Sequence, residues 1–344
     1  MMRFIPDFKG HDFFPHDLRV PFMRYRDLAV WLSIAAMALS LALFFTRGLN
    51  YGVDFKGGTM IEAESVSGPA NLEALRSKLG GLGLGAVQIQ NFGKPENVLI
   101  RIEQQPGGEP QQQAALKKLT EALGSGYTQR RVEVVGPAVS SELRMTGFVA
   151  VLASLLAIVA YVWFRFEWQF ALGAIVALTH DVLLTVGVFS LFQFEFDLSI
   201  VAALLTILGY SVNDTVVVSD RIRENLRKYK KMELAELLNL SINETLSRTI
   251  LTGLSAIVVL LVLYVFGGEV IRNFNFAMLL GVIVGTYSSI FIAAPLLGYL
   301  GVKRDWSGAS AQQPIIAPAT SKGEIRPPSA ARPPARSSRP SGRR

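Results

Sequence analysis

Hydrophobic positions in this chain gather into six blocks, and the polar stretches between them differ too much in length to be equivalent loops. Residues 28–45, 147–164, 170–192, 198–219, 250–266 and 276–299 are each apolar for long enough to cross roughly 30 Å of hydrocarbon as a helix. Six transmembrane helices are predicted. The connections 165–169 and 193–197 are short, which makes their flanking helices antiparallel neighbours. Residues 220–249 form a long connection and 267–275 an intermediate one.

The first polar stretch, 47–142, has its own periodicity. Alternation predicts a strand at 59–66, and the Gly68-Pro69 break precedes a helix at 71–79. Strands at 86–91 and 97–103 flank the turn Gly93-Lys94-Pro95-Glu96; a helix at 111–123 and a strand at 131–135 follow. The order βαββαβ predicts a ferredoxin-like α+β module between helices 1 and 2. The fold class is therefore a polytopic α-helical membrane protein carrying one small extramembrane domain.

Composition agrees: half of the 344 residues are hydrophobic, a share that suits a polytopic membrane protein. With no cysteine, and with His11, His16 and His180 lacking ligand spacing, neither a disulfide nor a metal or other cofactor is expected. The net charge of +7 resides wholly in the tail from 303 to 344, where nine Lys/Arg face Asp305 and Glu324. The remainder is close to neutral, which argues against a nucleic-acid-binding fold. That tail, rich in Pro, Ser, Ala and Arg, is expected to be disordered, with anionic lipid as a candidate contact.

Lys/Arg placement orients the bundle. Residues 220–249 carry Arg221, Arg223, Arg227, Lys228, Lys230, Lys231 and Arg248, whereas 193–197 carry none. The basic connections and both termini are expected in the cytoplasm and residues 47–142 in the periplasm. No small-x-small cleavage pattern follows the first block before Thr46 and Arg47, so it reads as a retained anchor. The expected organisation is a cytoplasmic segment 1–27, helix 1 at 28–46, the domain at 47–142, helices 2–6 at 143–302 and the tail at 303–344.

Candidate chemistry sits in the fourth block. An acid inside a span costs about 2.5 to 3.5 kcal/mol on insertion scales, so Asp214 needs a reason. Thr206, Tyr210 and Asn213 share its side of a helix, and Ser211, Thr215 and Ser219 mark a second side suited to close helix contact. Arg248, followed by Thr252 and Ser255 on one face, reaches a similar depth if the fifth helix begins near Ile242. Asp181, beside His180 and one turn before Thr185, is the third member of a candidate proton relay. A buried carboxylate resists ionisation and a nearby arginine restores it, so helix movement can load and release a proton. Purely structural roles compete: snorkelling for Arg248, hydrogen bonding for the acids, packing for His180. In the last block Ala277, Gly281, Gly285, Ser289 and Ala293 recur every four residues, a packing face. The segment Gly52-Val53-Asp54-Phe55-Lys56-Gly57-Gly58-Thr59 reads as a turn or close backbone approach. No nucleotide-binding glycine motif is present.

That segment, His180-Asp181-Val182, the run from Ser211-Val212-Asn213-Asp214 through Asp220-Arg221 to Asn225, and Ser247-Arg248-Thr249 together resemble the SecF family. Its members are the smaller partners in the SecD/SecF protein-export complex, related to the RND transporters. The resemblance covers roughly residues 24–302. It marks Gly52, Asp54, Phe55, Gly57, Gly58, Thr59, Asn213, Asp220 and Arg221 as motif residues, and it places Asp214 and Arg248 in the family's proton pathway. It implies a twelve-helix unit with SecD in the bacterial inner membrane, association with SecYEG and YajC, and use of the proton-motive force to draw preproteins outward after the SecA ATPase has pushed them. Competing readings are half of an RND-type lipid or small-molecule pump, an intramembrane aspartyl protease using Asp181 and Asp214, and a scaffold for SecD. The protease is disfavoured because Ser211, Val212 and Asn213 precede Asp214 where such enzymes carry Gly-x-Gly, so no enzymatic activity is expected.

Overall fold

The computed structural model describes residues 20–85, 87–268 and 270–302. The N-terminal segment up to residue 19, with His11 and His16, and the basic tail from 303 lie outside the described residues. A 3-10 turn, Phe22–Tyr25, leads into helix α1, Arg26–Arg47. A two-residue strand β1, Asn50–Tyr51, and a helical turn α2, Val53–Lys56, then carry the chain into the extramembrane part.

There, β2 (Gly58–Ser65), α3 (Leu72–Gly80), β3 (Val87–Phe92), β4 (Lys94–Ile102), α4 (Glu109–Leu123) and β5 (Tyr127–Val135) follow one another. The four strands make one sheet in the order β3-β4-β2-β5, antiparallel throughout. The inward-facing Ile61, Ala63, Val98 and Ile100 of its central strands meet Leu75, Leu79, Ala115 and Leu119 of the two helices in a core of their own. Asn71 starts α3 because its side-chain oxygen accepts the Ala74 N–H at 3.0 Å.

Five further helical rods follow: α5 (Pro137–Arg165), α6 (Trp168–Phe192), α7 (Leu198–Lys228), α8 (Leu234–Phe266) and α9 (Arg272–Ser288). The last continues through a π-helical turn, Ser289–Ala293, into α10, Ala294–Tyr299. A short strand β6, Glu195–Phe196, precedes α7 and pairs in parallel with β1. Six of these helical stretches are long and apolar enough to cross a membrane. Helices α6, α7 and α9 supply most of the buried interior, and α1, α5 and α8 lie around them. Close approach is possible because α9 presents glycine to α7: a Cβ at Gly281 would fall 2.2 Å from Ile207 Cγ1, and one at Gly285 3.0 Å from Ser211 Cβ.

Two expectations need correction. Helix α7 does not stop near Ser219, and α8 begins at Leu234 rather than near Ile242. The long connection 220–249 shrinks to residues 229–233. Hydrophobicity marks where a helix leaves lipid, not where it ends, and these helices continue as a polar pair. Arg221 Nε donates to Glu244 Oε2 and its Nη1 to Glu224 Oε2, both at 2.7 Å; Asn225 Nδ2 donates to Ser241 Oγ at 3.0 Å.

Candidate functional site

Asp214 lies on the buried side of α7, 2 % exposed, and its Oδ2 has no hydrogen-bond partner. Three other buried polar atoms on α7, α8 and α9 are also unpartnered. Tyr210 Oη stands one turn earlier on α7, Thr249 Oγ1 on α8 and Thr286 Oγ1 on α9. Gly253, one turn from Thr249, opens the space between them: a Cβ there would lie 3.4 Å from Thr286 Oγ1 and 3.7 Å from Tyr210 Oη. Because α7 and α8 are joined by only a few residues and run antiparallel, Asp214 and Thr249 both sit one turn toward the basic end from this point. Buried polar atoms without partners are uncommon, and each marks a place where an ordered water could satisfy the free group.

Arg248 is exposed on the outer side of α8. No ion pair within 4.0 Å joins it to Asp214 among the described residues. Thr206 and Asn213 are also exposed along α7, so the polar side expected as one surface is divided. Asp214 turns inward, while Thr206 and Asn213 face outward.

Asp181 is in a different situation. Fully buried in α6, it accepts a hydrogen bond from Ser211 Oγ of α7 at 2.6 Å and from Ser288 Oγ of α9 at 2.9 Å, both on Oδ2. Its Oδ1 lies 3.0 Å from His180 Nδ1. No hydrogen bond links this cluster to Asp214 among the described residues. The candidate relay is thus two separate arrangements: Asp214 with an unpartnered oxygen, and Asp181 held by Ser211 and Ser288.

The glycine segment after α1 lies where the sheet meets the bundle. Phe55 is buried against Tyr51 and Phe196, and Thr59 Oγ1 accepts from Gln112 Nε2 at 2.7 Å. Gly57 and Gly58 have φ of +74° and +120°, and a Cβ at Gly58 would meet the Ile102 carbonyl at 2.4 Å. Only glycine suits both the dihedral and the space. Asp54 Oδ2 accepts the Leu198 N–H at 2.9 Å. Asp220 pairs with Arg165 at 3.3 Å at the other end of the bundle. Thr286, Gly253 and the Arg101–Glu195 ion pair escaped sequence reasoning, because each takes its meaning from a residue on a distant element.

Residues 115–303 match the family model described as protein export membrane protein SecD/SecF, C-terminal, and residues 42–66 match the SecD/SecF GG motif. The chain belongs to the SecD/SecF family. It is 46 % identical over 299 residues to protein translocase subunit SecF of Cereibacter sphaeroides, covering 84 % of this chain and 92 % of that one. It is also 46 % identical over 289 residues to protein translocase subunit SecDF of Brucella abortus, but spans only 38 % of that longer protein. Among solved structures it is similar to SecDF from Thermus thermophilus, a translocon-associated membrane protein, with TM-score 0.75, 37 % identity, and coverage of 84 % of this chain and 39 % of the other. In SecD/SecF terms, the glycine segment is the GG motif and α5–α10 fall within the matched C-terminal region.

Proposed function

We propose that this chain is the SecF subunit of a protein translocase, which with SecD couples the proton-motive force to late steps of preprotein export through SecYEG. The observation that carries the proposal is Asp214: a buried carboxylate with an orphaned oxygen, inside a spanning helix and not paired with Arg248. A carboxylate so placed can hold a proton while Arg248 is distant and release it when the arginine closes. The unpartnered Tyr210, Thr249 and Thr286 offer water-binding positions along the way, and no covalent chemistry is involved.

The wider assignment follows. Six long apolar helices support a multi-pass position in the bacterial inner membrane, and the basic end of the α7–α8 pair favours cytoplasmic termini. The antiparallel sheet with two helices on one face then lies in the periplasm, and its strand order suits a ferredoxin-like module. The outward Thr206 and Asn213 favour SecD as the covering partner, in keeping with a relative named SecDF.

The test is export of a signal-bearing reporter into inverted vesicles with ATP and SecA, comparing wild type with Asp214→Asn, each with and without an uncoupler. Loss of only the gradient-dependent increment, with SecD assembly intact, supports a coupling role. Unchanged export and unchanged uncoupler sensitivity would leave the chain as a scaffold for SecD.

A further inference from the structure

We infer that the GG motif is a mechanical clasp through which Asp54, Arg101 and Glu195 fasten the extramembrane sheet to the first turn of the helix that carries Asp214. The inference rests on the proton-coupling reading of that helix and adds to it the positioning residues that link it to the extramembrane domain.

Three attachments converge within a few residues. The first is backbone: β1 pairs in parallel with β6, and the Gly52 N–H donates to the Phe196 carbonyl at 2.9 Å. Gly52 is held so tightly that a Cβ would fall 2.9 Å from Glu195 Oε1. The second is Asp54, whose Oδ2 accepts the N–H of Leu198, the first residue of α7. Asp197 already caps that helix by accepting the Ile200 N–H at 3.1 Å. Asp54 therefore satisfies a further free amide, and does so from a segment more than a hundred residues away. The third is the ion pair between Arg101 of β4, a central strand, and Glu195 of β6, with both side chains largely buried.

The sheet end of the clasp is equally tight. Gly58, where β2 begins, packs against the Ile102 carbonyl, next to Arg101 on β4. Gly57 lies against Ser140 Oγ at the start of α5. A rotation of the sheet is thus passed to β6 and α7 rather than absorbed by a flexible loop: the link from β6 to α7 is a single residue, Asp197. Rigid elements with few intervening torsions transmit displacement, and long loops do not. Axial or rotational movement of α7 would change the spacing of Asp214 from Arg248, which belongs to a different helix.

The chain has no cysteine, so a pair introduced at Gln90 on β3 and Ala202 on α7, both exposed, can carry spin labels in the assembled complex with a cysteine-free SecD. Wild type is expected to give one narrow distance distribution. Asp54→Ala and Arg101→Glu should broaden it and lower the gradient-dependent export increment by about fivefold, about 1 kcal/mol at 1.4 kcal/mol per tenfold, while ATP-driven export and SecD assembly persist. Asp54→Asn keeps an acceptor oxygen and should behave as wild type. The charge swap Arg101→Glu with Glu195→Arg should restore both readouts. A broadened distribution with a full increment, or a narrow one in Asp54→Ala, overturns the clasp. A wild type that shows no increment sinks the coupling reading instead, and the distance measurement still decides whether the clasp exists.

Discussion

Ser211 on α7 donates a 2.6 Å hydrogen bond to Asp181 on α6, and this bond, with its companion from Ser288, makes Asp181 the polar pin of the three innermost helices. A carboxylate so fully occupied is suited to holding helices in register. Interhelical hydrogen bonds in membranes are worth about 0.6 kcal/mol on average and up to about 1.7. Ser211→Ala and Ser288→Ala are expected to lower the thermal stability of the purified complex within that range while leaving the gradient-dependent export increment in place. Loss of the increment at full stability would return Asp181 to the proton path.

The close approach of α9 to α7 gives a second expectation. Gly281→Ala places a methyl group into the near atoms of Ile207, which is β-branched and cannot swing aside. Overpacking of this kind costs typically about 1 to 3 kcal/mol. Adding Ile207→Ala should recover part of the loss, and a double-mutant cycle in thermal unfolding measures the coupling.

Gly253 tests the space beside Asp214. Alanine there meets Thr286 and Tyr210 at ordinary van der Waals distance, so Gly253→Ala is expected to assemble and export nearly as wild type. Gly253→Leu fills the room between the three helices and is expected to remove most of the uncoupler-sensitive export. Equal activity of the two variants would show that this space is not part of the path.

One pH dependence belongs to the sheet. Burial raises Glu62 above its ordinary value of 4.5, with Glu133 adding to the shift and Arg131 opposing it. The folded sheet therefore holds this proton more tightly than the unfolded chain does. The stability Glu62 contributes is full below pH 4.5 and is lost as pH rises through its raised folded value. Hydrogen exchange of the β2 amides, measured in the intact protein and corrected for intrinsic rates, should show protection falling across that window. Glu62→Gln should flatten the profile.

Much of this architecture was legible because lipid imposes a blunt rule. Blocks of apolar residues located all six membrane-crossing helices, and alternation located the strands of the sheet to within a few residues. What periodicity could not show was where helices run on into water: α7 and α8 are prolonged by Arg221, Asn225, Ser241 and Glu244, polar residues whose pairing is visible only in three dimensions. For the same reason Asp181 and Asp214 looked alike in sequence. Their difference lies in Ser211 and Ser288, which reach one acid and not the other. The two-residue strands β1 and β6 are too short for any pattern to announce, and Asp54 shows its bond to Leu198 only after distant parts of the chain have met.

The outward Thr206 and Asn213 on α7 also bear on supply. A polar amide turned to acyl chains has no water to bond with and raises the energy of a solitary copy in the bilayer. A subunit made in excess of its partner would display that surface continuously, whereas an assembled one would conceal it. Polar groups from a covering molecule would therefore stabilise Asn213, and with it the whole chain, in the bilayer.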